Sequence, residues 1–165
     1  MTHRILLAAL LLATAVPVQA ADIVRRGGTA FPIASSVTVP AGAELVFVSG
    51  MLADVANADA PPGSIERLGD TATQTRSVLG KIGRELESAG LGLGDVVKMT
   101  VFLVGDPGKD GTMDFAGLML AYREFFGTAA QPKLPARTAL QVAALPLPGA
   151  LVEIEVIAAR VPAKD

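Results

Sequence analysis

Seven stretches of the chain space their apolar residues regularly enough to predict an element. Ser35 to Val39 reads as a short strand, and Leu45-Val46-Phe47-Val48-Ser49-Gly50 as a second, more buried one. Pro40-Ala41-Gly42-Ala43 between them has turn chemistry, so the pair is expected to form a hairpin. Asp54 to Gly69 shows no period and predicts a surface loop. Behind it Thr75, Val78, Leu79, Ile82 and Leu86 recur at helical spacing. Thr71 and Gln74 have the spacing of a capping box for that helix, with Asp70 as the alternative cap, and Gly90 closes it. Val96 to Val104 is a strand that is apolar at most positions of both faces. After the loop Gly105 to Gly111, Thr112 can cap a second helix whose apolar face is Phe115, Leu118, Met119, Tyr122 and Phe126, ended by Gly127. A loop bounded by Pro132 and Pro135 leads to a strand at Ala136 to Val142. The turn Leu145-Pro146-Leu147-Pro148-Gly149 then gives a last strand, Leu151 to Arg160.

Strand-helix-strand crossovers favour parallel neighbours and terminal hairpins favour antiparallel ones. The order therefore predicts an α/β (α+β) domain with a mixed sheet and two helices on one face. The other face has no helix left to cover it. Yet Val96–Val104 is apolar on both sides, and Val152, Ile154 and Val156 alternate with Leu151, Glu153, Glu155 and Ile157. A partly apolar, uncovered face calls for another subunit.

The N-terminus belongs to a different class of segment. His3 and Arg4 give a short positive start, Ile5 to Val16 is apolar apart from Thr14, and Val18-Gln19-Ala20 places small residues where a signal peptidase reads. The run is too short for a membrane span, which needs about 20 residues. Residues 1–20 are thus expected to be a removable export signal, cleaved after Ala20, leaving 21–165 as a single domain in the periplasm or secreted. The chain has no Cys, hence no disulfide and no lipid-attachment site, and no membrane contact is expected after cleavage.

Composition then removes several chemistries. The chain's one His is His3, which leaves with the signal, so the mature protein cannot use Ser-His or Cys-His nucleophiles or His/Cys zinc sites. No phosphate-cradling GxxxxGK[ST] or GxGxxG loop occurs. Lys and Arg number 14 against 16 Asp and Glu, with no basic cluster, no Trp and one Tyr, which speaks against nucleic acid as a partner.

Two places retain candidate chemistry. Arg137, in Pro135-Ala136-Arg137-Thr138, stands where a Pro-bounded loop enters a strand. Glu153 and Glu155, two apart, share one face of the last strand. A guanidinium near a carboxylate suits a small anionic substrate, the Arg gripping a carboxylate by two parallel hydrogen bonds and the Glu positioning water or moving a proton. The same residues also fit a structural Arg–Glu ion pair, or solvated glutamates. Ser49-Gly50 at a strand end offers either a backbone N–H to an anion or simply a turn glycine. Tyr122 reads as core, and Lys81, Arg84, Glu85 and Glu87 as the solvated face of the first helix.

These segments together resemble the RidA (YjgF) family. The resemblance runs in order through Leu45–Gly50, Gln74–Leu79, Asp95–Leu103, Tyr122–Phe126, Pro135–Thr138 and Val152–Ala158, its most specific blocks being Pro-Ala-Arg-Thr and Val-Glu-Ile-Glu-Val-Ile-Ala. It implies a chorismate-mutase-like fold, a homotrimer with ligand clefts between subunits, and no metal or cofactor. It further implies hydrolysis of small 2-imino acids or enamines to 2-keto acids and ammonia. In that reading Arg137 binds the substrate carboxylate, Glu153 is associated with the attacking water, and Gly50 lies at the cleft. Ile33, Met119, Ala139 and Met51 stand where the family carries Tyr, Asn, Cys and Gln, so a more apolar substrate is expected. Two other functions stay in view: a non-catalytic trimer that binds small carboxylates, and an endoribonuclease, which the missing His and acidic balance oppose.

Overall fold

The computed structural model describes residues 22–28 and 31–162. Residues 1–20, expected from the sequence to be an export signal, lie outside them. A two-stranded antiparallel ribbon, β1 (Val24–Arg26) and β2 (Ser36–Thr38), precedes the main sheet. That sheet has four strands: β3 (Glu44–Leu52), β4 (Val96–Val104), β5 (Ala136–Val142) and β6 (Val152–Arg160). Their order is β3-β6-β4-β5, with β4 and β5 parallel and β6 antiparallel to both its neighbours. The mixed sheet predicted from the pattern is therefore present.

Neither predicted hairpin forms. β2 pairs with β1, while β3 pairs with β6, because the last strand inserts between β3 and β4 and takes the hydrogen bonds of both. Three-residue β1 has too little alternation to be read from sequence. Its anchor is polar: Arg25 donates to the carbonyls of Val96 (2.7 Å), Leu134 (2.8 Å) and Gly94 (3.0 Å), tying the ribbon to the starts of the parallel strands β4 and β5. Burial lowers the Arg25 pKa, and Asp95 partly opposes this.

The helix α1 (Ile65–Leu68) is a single turn inside the segment expected to be irregular, and it buries Leu68. The long helix α2 (Thr71–Ser88) starts at Asp70, whose side chain accepts from the Thr73 N–H at 2.8 Å. Asp70 therefore takes the role that the Thr71–Gln74 spacing competed for. Gln74 is instead fully buried as a latch: its Nε2 donates to the Gly69 and Gly149 carbonyls and its Oε1 accepts from the Leu151 N–H at 2.8 Å. The helix α3 (Phe115–Phe125) begins at Asp114, which accepts from the Gly117 N–H at 3.0 Å, and not at Thr112. The Thr112 hydroxyl is already engaged in donating to the Lys109 carbonyl.

Both long helices cover one face of the sheet. Val78, Leu79, Ile82 and Leu86 of α2 and Leu118 and Tyr122 of α3 pack against Met99, Val101, Leu103, Ile154, Val156 and Ala158. Of the polar group on α2, Arg84, Glu85 and Glu87 are solvated, but Lys81 reaches back to the Leu52 carbonyl and pairs with Asp54 at 2.7 Å. The opposite face carries Leu45, Phe47, Phe102, Leu140 and Ile157 with no helix over it, and Phe47 is 71% exposed.

Candidate functional site

Arg137 follows the first residue of β5 and is paired with Met99, a core residue, so its side chain points to the helix-covered face. There it meets α3. Phe115, Met119 and Tyr122 are spaced four and three residues apart, which stacks them on one side of the helix. That stripe forms the bed of the guanidinium. Its central carbon lies 4.4 Å from the centre of the Tyr122 ring and 5.7 Å from that of Phe115, both cation–π distances. Its Nη1 and Nη2 each stand 3.2 Å from the Met119 sulfur. Nε is buried and has no hydrogen-bond partner.

The Tyr122 ring is held from both sides. Its hydroxyl donates to the Pro32 carbonyl at 2.9 Å, and its face stacks on Phe126 at 4.8 Å. The Tyr122–Pro32 bond draws in the loop that carries Ile33, and the Ala34 N–H donates to the Pro135 carbonyl at 2.9 Å, setting that loop beside the start of β5. Ala139, two residues beyond Arg137, shares its face and packs against the core. Tyr122 is thus core, as its helical spacing implies, and also the platform for Arg137. The signal for that second role was the aromatic–Met–aromatic stripe on a helix facing a strand that carries an Arg.

No carboxylate neutralises this cation among the described residues. The ion pairs there join Arg76 to Glu124, Lys81 to Asp54, Lys109 to Asp114 and Arg160 to Glu44. Burial lowers the Arg137 pKa; the Tyr122 hydroxyl raises it and Arg123 lowers it further. Burial also pushes the Tyr122 phenol well up, so it stays a neutral donor. A guanidinium remains charged under such pressure, and a part-buried charge with aromatic and thioether neighbours only is set up to take an anion.

Glu153 lies elsewhere. It pairs with Phe102 of β4 and Leu52 of β3, so it projects from the uncovered face, opposite to Arg137. The structural Arg–Glu pair is therefore not made within one chain, and neither glutamate meets the arginine. Gly50 does meet Glu153. β3 is irregular between Val48 and Met51, and a Cβ built on Gly50 would fall inside the Glu153 carboxylate, 2.9 Å from its Cδ. Close approach, not a turn, is what needs glycine here. Met51, beyond the irregularity, pairs with Ile154 and packs against the core. Glu155 is exposed and borders a cavity of about 260 Å³ with Phe47, Ser49, Lys98, Thr100 and Ile157.

The geometry defines a helix-covered mixed-sheet domain with an anion-seeking arginine on one face and a glycine-cradled carboxylate on the other. The family described as Endoribonuclease L-PSP matches residues 30–160. A RutC family protein of Pyrococcus horikoshii is 40% identical over 123 residues, 74% of this chain and 84% of its own. The 2-iminobutanoate/2-iminopropanoate deaminase of Bos taurus is 36% identical over 118 residues, 71% of this chain and 74% of its own. Among solved structures, the Escherichia coli YjgF gene product superposes with a TM-score of 0.54 at 34% identity, over 71% of this chain and 81% of that one. Escherichia coli TdcF with bound serine gives 0.55 at 32% identity, over 83% and 94%. The chain belongs to the RidA (YjgF) family.

Proposed function

We propose that this protein hydrolyses small 2-imino acids or enamines to 2-keto acids and ammonia. The observation that carries the reading is Arg137: a part-buried cation, stacked on Tyr122, whose two terminal nitrogens face a thioether and no carboxylate. Arg137 receives the substrate carboxylate and withdraws its negative charge from the neighbouring imine carbon, which becomes a better electrophile. Water adds to that carbon while one of its protons passes by way of Glu153 to the imine nitrogen, giving a carbinolamine. Glu153 then takes the hydroxyl proton and delivers it to nitrogen as the C–N bond breaks, so ammonia leaves and the new C=O completes the keto acid. The deaminase names of the bovine relative and of an Escherichia coli relative, 42% identical over 91 residues, support this chemistry.

Because Arg137 and Glu153 project from opposite faces of one sheet, a site using both is completed by a second subunit. The exposed Leu45, Phe47 and Leu140 on the uncovered face supply the apolar surface for association, and the homotrimer implied by the family resemblance is the assembly we propose. We also propose that residues 1–20 direct export and are removed, placing the trimer in the periplasm or outside the cell.

A second reading, capture of small carboxylates without turnover, draws on the apolar character of Ile33, Met119 and Ala139. An assay in which a dehydratase or amino-acid oxidase generates imines separates the two. Keto-acid and ammonia release faster than spontaneous hydrolysis supports the deaminase, and binding of keto acid without acceleration supports capture. RNA cleavage by protein freed of contaminants would support the ribonuclease instead.

A further inference from the structure

We propose that Met119 is a displaceable plug on Arg137: its thioether takes the two terminal donors that a bound carboxylate needs, so ligand entry requires this side chain to swing aside. The inference rests on the reading of Arg137 as a carboxylate anchor and adds to it the group that controls access.

Tyr122 and the burial of Nε limit how a ligand can reach the guanidinium. Tyr122 covers one flat face at 4.4 Å, and Phe115 stands 5.7 Å away. Nε is buried by the chain itself, so an incoming group cannot use the side-on pair of donors. That leaves the end-on fork of Nη1 and Nη2, and the Met119 sulfur stands 3.2 Å from both. A carboxylate gripping the fork by parallel bonds needs the space that this sulfur fills.

The chemistry of the plug suits it to being moved. A thioether is a weak acceptor, whereas a carboxylate makes charge-assisted bonds to the same donors. Methionine is unbranched with three rotatable bonds, so it changes rotamer readily even though it is largely buried here. A neutral amide or ester gains too little at the fork to displace it, so the plug also favours ionised acids.

The test is titration of 2-oxobutanoate into the full protein carrying [methyl-13C]Met, the Met119 signal being assigned by its loss in Met119→Leu. The Met119 methyl signal is expected to move on saturation. Met119→Leu, which has no acceptor, should bind 2-oxobutanoate about 2- to 10-fold more tightly. Met119→Ala, which empties the space in front of the fork, should also bind it at least about 2-fold more tightly than wild type. Native melting temperature and assembly mass qualify each variant, and the wild-type methyl shift decides if one fails to fold. An unmoved Met119 signal at saturation overturns the plug, as do Met119→Leu and Met119→Ala binding no more tightly than wild type. If wild type does not bind 2-oxobutanoate, or Arg137→Ala binds it normally, the anchor reading itself fails and the plug falls with it.

Discussion

Replacing Gly50 with Ala moves the Glu153 carboxylate without altering its charge. Gly50 is not among the glycines at positive φ, so alanine meets no backbone strain there, and alanine suits a strand interior slightly better than glycine. The conflict is local. The new Cβ would stand 2.9 Å from Cδ and 3.1 Å from Cγ of Glu153. Oε1 of Glu153 would be overlapped outright, and ordinary carbon contacts are about 3.5–4.0 Å, so the carboxyl must retreat by roughly 1 Å or more. Glu153 is only half-buried and its far end is free to rotate, so the fold yields at a cost below about 1 kcal/mol. Catalysis does not tolerate such a shift: misplacing a reacting group by about 1 Å costs on the order of 100-fold in rate. The assay compares the imine-hydrolysis rate per assembled protein with the melting temperature and the affinity for 2-oxobutanoate. The expected result is a rate down about 100-fold, with melting and binding close to wild type. Full activity with an unchanged melting temperature would refute the placement of Glu153 at the attacking water.

Other consequences are as definite. Gln74→Leu strands the Gly69 and Gly149 carbonyls and the Leu151 N–H in the interior; it should cost about 3 kcal/mol or more and lower Tm by about 10 °C, and a loss below about 2 °C would contradict the latch. Light scattering at micromolar concentration should give three times the subunit mass, and one subunit's mass would exclude the shared site. Intact-mass measurement on protein recovered from a periplasm-competent host should place its first residue at or within a residue or so of Ala21, whereas retained Met1 would overturn export.

The long periodic elements were legible in the sequence. Val78, Leu79, Ile82 and Leu86 all lie in the core, and Val96–Val104 and the strand through Glu153 and Glu155 fall where alternation put them. Pairing was not legible: turn residues at Pro40–Ala43 favour a hairpin locally, but β6 offers β3 a longer apolar partner and wins. The ribbon strand Val24–Arg26 was invisible because what holds it is a single arginine on three carbonyls. At the site, the loop–strand junction singled out Arg137, the family resemblance singled out Met119 and Gly50, and the structure adds what each of them touches. It also shows what spacing in one chain cannot, that Arg137 and Glu153 share no face, since a face is set by register with neighbours far away in sequence.

The central claim, an arginine-anchored hydrolysis of 2-imino acids, is tested most directly by Arg137→Ala beside wild type in the dehydratase-coupled assay. Wild type should release keto acid and ammonia faster than spontaneous hydrolysis. The variant, still folded and assembled, should lose at least about 100-fold of that acceleration, the size expected from removing a charge-assisted anchor. Equal rates per folded assembly, with only the melting temperature lowered, would contradict the account and return Arg137 to a structural role.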